Sequence, residues 1–252
     1  MINLIDLSGK NILITGASSG IGRASAILCS QLGANVILVA RNEERLQETL
    51  ALMDEGKHLI FAMSVTDYDK IDALVSEVVA TNGKIDGFIH SAGMEMTRPL
   101  KILKTEMLQE TFAVNVFAGF EFAKAITKNK NVNEGASLVF ISSIVGMYGQ
   151  AGKIAYSASK GALVSGCKSM ALEFASRNIR VNSILPALVE TEMSSQIMEN
   201  IGEEGKANVL KMHPLGFGKV EDVANACAYF LSDVSRWVTG TNFIIDGGYS
   251  AA

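Results

Sequence analysis

The chain has 252 residues, with 22 Lys and Arg against 26 Asp and Glu, for a formal net charge of −4. Apolar residues make up 48% and charged residues 19%, which excludes a disordered chain and suits one large α/β domain or two small ones. The acidic balance argues against a nucleic-acid partner, and no run of about 18 apolar residues offers a membrane span.

Met1-Ile2-Asn3-Leu4-Ile5-Asp6 lacks the basic-then-apolar pattern of a signal peptide. Cys29, Cys167 and Cys227 are scattered and read as small buried residues in a reducing compartment, so a cytoplasmic protein is expected. His58, His90 and His213 form no ligand cluster, and no metal is expected.

The first predicted strand, 11–15, runs into Thr15-Gly16-Ala17-Ser18-Ser19-Gly20-Ile21-Gly22 and a helix over 20–33. Strand, glycine turn and helix together form a phosphate-binding context. The glycines let backbone approach a pyrophosphate, and the helix start offers unpaired N–H groups and a positive dipole end. Gly16, Ser18, Ser19, Gly20, Ile21 and Gly22 are therefore candidate cofactor residues. The spacing is Gly-x-x-x-Gly-x-Gly, not the commoner Gly-x-Gly-x-x-Gly. A tight turn without a ligand is the plainer alternative.

A second strand, 35–40, ends at Arg41. An acidic residue here would bond a ribose 2′-hydroxyl; an arginine pairs with a 2′-phosphate, which favours NADP(H) over NAD(H). A surface or helix-capping arginine is the alternative. A helix over 42–54, a strand over 58–63 ending near Ser64 and Val65, and a helix over 67–82 follow. The strand at 85–90 leads into His90-Ser91-Ala92-Gly93. A helix is predicted over 101–128, a strand over 136–142 and a helix over 153–177. A strand at 179–185, a helix at 220–232 and a strand at 242–245 complete the series. Alternation of this kind predicts a Rossmann-like doubly wound parallel sheet of seven strands in a single domain, with helices on both faces. The stretch 190–213 interrupts it. Its thread of Met193, Ile197, Met198, Val209, Leu210 and Met212 suits either a mobile substrate lid or an amphipathic helix packed on the body.

The predicted helix from 153 carries Tyr156-Ser157-Ala158-Ser159-Lys160. Residues four apart share a helix face. An ammonium beside a phenol favours the phenolate, so Lys160 is expected to draw the pKa of Tyr156 down from about 10 and make it a usable acid or base.

These motifs resemble the short-chain dehydrogenase/reductase family over essentially the whole chain. Thr15–Gly22 matches the family's glycine element, and His90-Ser91-Ala92-Gly93 is an altered Asn-Asn-Ala-Gly. Asn115 matches the asparagine of the fourth helix, and Ser143 the serine 13 residues before the tyrosine. Pro186-Ala187-Leu188-Val189-Glu190-Thr191 resembles the element that meets the nicotinamide. The resemblance implies that Tyr156 moves the proton and that Ser143 holds the carbonyl oxygen. It implies that Lys160 tunes Tyr156 and bonds the ribose, and that Asn115 positions a water linking Lys160 to solvent. Ser64, Val65, Ser91, Ala92, Gly93, Pro186, Val189 and Thr191 then border the cofactor with Tyr156 and Lys160. His90, ending a buried strand, is read as a satisfied core residue. Ala187 replaces a glycine and fits if its φ stays negative.

The implied activity is NADPH-dependent carbonyl reduction, with the 3-oxoacyl-acyl-carrier-protein reductase branch most similar. A carrier would need basic residues near the mouth. Arg177 matches one such position, Glu134 stands where a second arginine is usual, and Lys128 and Lys130 lie close by. The rival substrates are a sugar, polyol or steroid-like ketone, for which Glu95 could bond a hydroxyl or else be a solvated surface group. A rival of another class is an NADP(H)-sensing protein without turnover, which has no need of Ser143, Tyr156 and Lys160 together. The helix after Tyr156 is rich in small residues; by resemblance this implies a homotetramer or homodimer.

Overall fold

The computed structural model describes residues 5–251; Met1–Leu4, Ala252 and the side chains of Gln196, Ile197 and Asn200 lie outside that description. Seven parallel strands form one sheet: β1 Asn11–Thr15, β2 Asn35–Ala40, β3 Leu59–Ala62, β4 Ile85–His90, β5 Val132–Ile141, β6 Arg180–Pro186 and β7 Asn242–Ile245. Their order is β3-β2-β1-β4-β5-β6-β7. The predicted α/β fold and strand count are thus observed. Successive strands are added to one side of β1 up to β3 and to its other side from β4, and in such sheets ligands sit off the carboxyl ends of the strands at that switch point.

Alternate side chains of each strand feed two cores, as the two-residue repeat of a strand requires. Leu13, Ile37, Val39, Leu138 and Phe140 face α3 (Tyr68–Asn82), α5 (Ala118–Ile126) and α6 (Ile154–Phe174), where Leu74, Phe122 and Leu163 meet them. Ile12, Ile14, Val36, Leu38 and Val139 face α1 (Gly20–Gln31), α2 (Glu43–Ala51) and α8 (Val220–Leu231), where Ala26, Leu46 and Phe230 meet them. Each fully buried aliphatic or aromatic side chain contributes about 1.5–3 kcal/mol. The covered sheet explains why the strands read as unbroken apolar runs.

Three elements differ from the sequence expectation. The helix predicted over 101–128 is broken into α4 (Thr105–Phe112), a π turn over Ala113–Phe117, and α5. The stretch 190–213, left open between a lid and an amphipathic helix, is mostly helix, α7 (Glu192–Lys211), and differs only in its kink at Gly202, where φ is 66°. Strand β5 begins at Val132, earlier than expected, past a register shift opposite Ile85 and Gly87.

Arg180 is buried at the start of β6. Its guanidinium donates to Phe230 O at 2.6 Å and Ser232 O at 3.3 Å, at the C-terminal end of α8. A cation at that end suits the helix dipole. In α6 the small residue Gly166 lies under Phe120 of the same chain, where a Cβ would come within 2.5 Å of the ring.

Candidate active site

The sequence-predicted residues all lie at the carboxyl-terminal edge of the sheet or just beyond it. Gly16, Ser18, Ser19, Gly20, Ile21 and Gly22 form the β1–α1 turn; Arg41 follows β2; Ser64 and Val65 follow β3; Ser91, Ala92 and Gly93 follow β4. Ser143 follows β5, Tyr156 and Lys160 sit on α6, and Pro186, Val189 and Thr191 end or follow β6.

The glycine turn is held tightly. Gly16 has a φ of +71°, and a Cβ there would meet Ala92 N at 2.7 Å. A Cβ on Gly22 would strike Gly16 O at 2.2 Å. Ser19 is the N-cap of α1, and its side chain takes none of the helix's first N–H groups. Those donors and the dipole suit an anionic pyrophosphate. Arg41 is exposed, with no hydrogen bond or ion pair to another described residue. Arg45, one turn along α2, is paired with Glu192 in the first turn of α7. The donor set therefore fits a phosphorylated dinucleotide. Ser64 bonds Thr66 Oγ1 at 2.8 Å in a local turn. Ala187 fits as required, since Asn178 is the one non-glycine residue with positive φ among those described.

His90 is a core residue with both ring nitrogens engaged, as expected. Nδ1 meets Thr15 Oγ1 at 2.9 Å and Nε2 meets Asn115 O at 3.2 Å. A carbonyl only accepts, so the proton belongs on Nε2, and Thr15 donates to Nδ1. Burial and the charge of Lys160 hold the pKa of His90 down at about 3, so the ring stays neutral.

Asn115 occupies the π turn and is fully buried. Met94 N–H donates to its Oδ1 at 2.8 Å, and its Nδ2 donates to Met94 O and Ser159 Oγ, both at 3.0 Å. The side chain thus clamps the backbone that follows Gly93.

Lys160 Nζ donates to Ile141 O at 2.8 Å and lies 5.6 Å from the centroid of the Tyr156 ring. Burial lowers its pKa to about 8. The expected depression of the Tyr156 pKa is not found. Burial pushes it up to about 12, the hydrogen bond with Ser143 opposes the rise, and the Glu95 carboxylate adds to it. The ammonium is engaged by a backbone carbonyl, so desolvation outweighs its field.

Sequence reasoning missed one feature. Lys153 forms an ion pair with Glu95 at 3.1 Å, each side chain 14% exposed, and its Nζ lies 5.8 Å from the Tyr156 ring centroid. Glu95 is not a solvated surface group. The signal was available: Lys153, Tyr156 and Lys160 fall at i, i+3 and i+7, one helix face.

Of the residues expected to greet a carrier protein, Arg177 and Lys128 are engaged within the chain, while Lys130 is exposed with no hydrogen bond or ion pair to another described residue. Arg177 donates to Thr127 O at 2.7 Å, Lys128 pairs with Asp72 at 2.6 Å, and Glu134 accepts from Asn178 at 2.7 Å. Among the described residues, no helix is long and apolar enough to cross a membrane, and no group of three or more His, Cys, Asp or Glu could hold a metal ion.

Comparison with known proteins places relatives around this geometry. The family model described as enoyl-(acyl carrier protein) reductase matches residues 16–250. A 3-oxoacyl-[acyl-carrier-protein] reductase of Thermotoga maritima is 37% identical over 245 residues, covering 96% of this chain and 98% of its own. An NAD-dependent glycerol dehydrogenase of Listeria innocua is 34% identical, covering 97% of this chain and 95% of its own. The crystal structure of a dehydrogenase/reductase from Sinorhizobium meliloti superposes with a TM-score of 0.90 at 29% identity, covering 98% of this chain and 97% of that one.

Proposed function

Since the chain belongs to the short-chain dehydrogenase/reductase family, an oxidoreductase family acting between carbonyl and alcohol, we propose that it is an NADPH-dependent carbonyl reductase. The observation that carries the reading is the convergence of Ser143, Tyr156 and Lys160 beside the glycine turn, at one edge of the sheet. A 3-oxoacyl group on an acyl carrier protein is the leading substrate, supported by the name of the Thermotoga maritima relative.

A bound nicotinamide supplies the hydride. The chain supplies placement and the proton. The Tyr156 hydroxyl, protonated through neutral pH, donates to the carbonyl oxygen as charge develops there. The Ser143 hydroxyl holds that oxygen, as an oxyanion donor does. Lys160 remains largely charged at pH 7 and bonds the ribose. Asn115 fixes the backbone at Met94 and so the wall beside the phenol. Arg41 takes the 2′-phosphate. The exposed Phe117 and Leu172, on the helical face remote from the cofactor turn, are read as contacts between subunits of a dimer or tetramer.

A second reading is a free hydroxylated ketone as substrate. It is favoured by the engagement of Arg177 and Lys128 within the chain and by the glycerol dehydrogenase relative.

NADPH oxidation assayed with carrier-bound 3-oxoacyl chains, free acetoacetyl thioesters and hydroxyketones decides between them. Tyr156→Phe should cost 10²–10⁴-fold in turnover, as loss of an acid typically does, while NADPH binding stays intact. A near-normal rate refutes the proton role. Arg41→Ala should weaken NADPH binding by about 1.5–3 kcal/mol and leave NADH binding nearly unchanged. Wild-type preference for NADH refutes the cofactor assignment. Arg177→Glu should raise KM only for carrier-bound substrate. An equal response of free thioester points to a free small molecule.

A further inference from the structure

The Tyr156 ring has an ammonium on each side along α6. Lys160 lies 5.6 Å from its centroid and Lys153 5.8 Å. Their surroundings differ. Lys160 donates to the Ile141 carbonyl, a neutral partner. Lys153 is bound to the Glu95 carboxylate, which also accepts from the Thr97 hydroxyl. The pair is built into the wall. The loop carrying Glu95 is held at Met94 by Asn115, and Arg98 N donates to Gly152 O at 2.6 Å, next to Lys153. Both charged side chains are largely shielded from water, so their fields are screened less than surface charges.

We propose that Glu95 is a positioning residue for the proton donor: by neutralising Lys153 it leaves Lys160 as the single uncompensated cation beside Tyr156 at neutral pH, and so sets the field against which the phenol gives its proton to the carbonyl oxygen. The groups that face the phenol are Lys153 at the N-cap of α6, Lys160 on α6, Glu95 from the loop after β4 and Ser143 just past the end of β5. His90, at the end of β4, faces Lys160 and is neutral. The direction of the Glu95 effect on Tyr156, which opposes ionisation, agrees with this role. Without Glu95 the Lys153 charge near the ring is uncompensated and the phenol ionises more readily. Without Lys153 the bare carboxylate faces the ring alone and the phenol ionises less readily.

The chain holds five tyrosines, so the Tyr156 phenol is read by difference absorbance in alkali against Tyr156→Phe. Glu95→Gln should move that step down by about one pH unit, within the range a nearby opposite charge produces. Lys153→Met should move the step up, and the double variant should return it near wild type. Opposite signs from the two halves of one ion pair are not what loosened packing gives. An unmoved step in Glu95→Gln, or shifts of the same sign in both single variants, overturns the proposal. If Glu95→Gln does not fold, Lys153→Met and the double variant carry the same test. The inference rests on Tyr156 as the proton donor, and the two fail separately. Turnover retained by Tyr156→Phe sinks the donor role, whereas an unshifted titration sinks only the role of Glu95.

Discussion

Asn115→Leu offers a direct test of how the site wall is held. Leucine nearly preserves volume, so the perturbation is the loss of polar contacts and not a cavity. Three bonds go: Met94 N–H to Oδ1, and Nδ2 to Met94 O and to Ser159 Oγ. Ser159 is little affected, because its hydroxyl still donates to Tyr156 O at 2.7 Å. The cost falls on the two backbone groups of Met94. An unmade buried hydrogen bond costs about 1–3 kcal/mol per group, about 2–6 kcal/mol for both. Met94 is only half-buried, so water can reach part of what is lost, and the low end of that span, about 2–3 kcal/mol, is expected. Urea unfolding followed by circular dichroism should show this as a midpoint lowered by about 1 M, for a slope of about 2–3 kcal/mol per M. Turnover should fall more than NADPH affinity, since the loosened segment borders Tyr156. A loss below about 0.5 kcal/mol would refute the reasoning and mean that the clamp holds nothing.

Two more outcomes follow from buried cations. For Lys160 the folded pKa of about 8 lies below the ordinary 10.5, so the unfolded chain holds the extra proton between them and stability from this group rises with pH across that window. The full rise is about 3 kcal/mol, and the difference in urea stability between wild type and Lys160→Met should show it; a flat difference from pH 8 to 10 refutes the buried charge. Arg180→Met should cost about 2–3 kcal/mol in the same assay, through the lost charge-assisted bonds and the dipole contact. It should cost no more, because Phe230 O keeps the Ser137 and Ser235 hydroxyls at 2.7 and 3.0 Å; a loss above about 5 kcal/mol would show that those hydroxyls do not hold the carbonyl.

The fold was legible because the inner strands are covered on both faces and so appear as apolar runs such as Asn35–Ala40, with glycines marking the turn after β1. The π turn was not, because residues 101–128 carry no local helix breaker. The interruption is tertiary: Asn115 gives its side chain to Met94 and its carbonyl to His90, a contact between residues 25 apart in sequence. Spacing put Tyr156 and Lys160 on one face, but it could not say that the ammonium would turn to Ile141 or that burial would decide the sign of the phenol's shift. Glu95 read as a surface group because its partner lies 58 positions away, on a helix whose face was judged only from Tyr156 onward. The helix over Glu192–Lys211 was one of two readings of that stretch, and its kink at Gly202 was not legible because a glycine can also continue a helix.

The interlocked glycines also fix where this protein is free to diverge. Gly16 is pressed against Ala92 and Gly22 against Gly16 itself, so neither accepts even one added carbon without moving backbone. Ser19 caps α1 without using its hydroxyl on the helix, and Arg41 stands exposed beyond the end of β2. Inheritance is therefore strict at the two glycines and permissive at these two side chains. On the proposed reading of the site, a lineage, or an engineer, can rewrite the choice between the two nicotinamide dinucleotides at Ser19 and Arg41 while the glycine scaffold stays as it is.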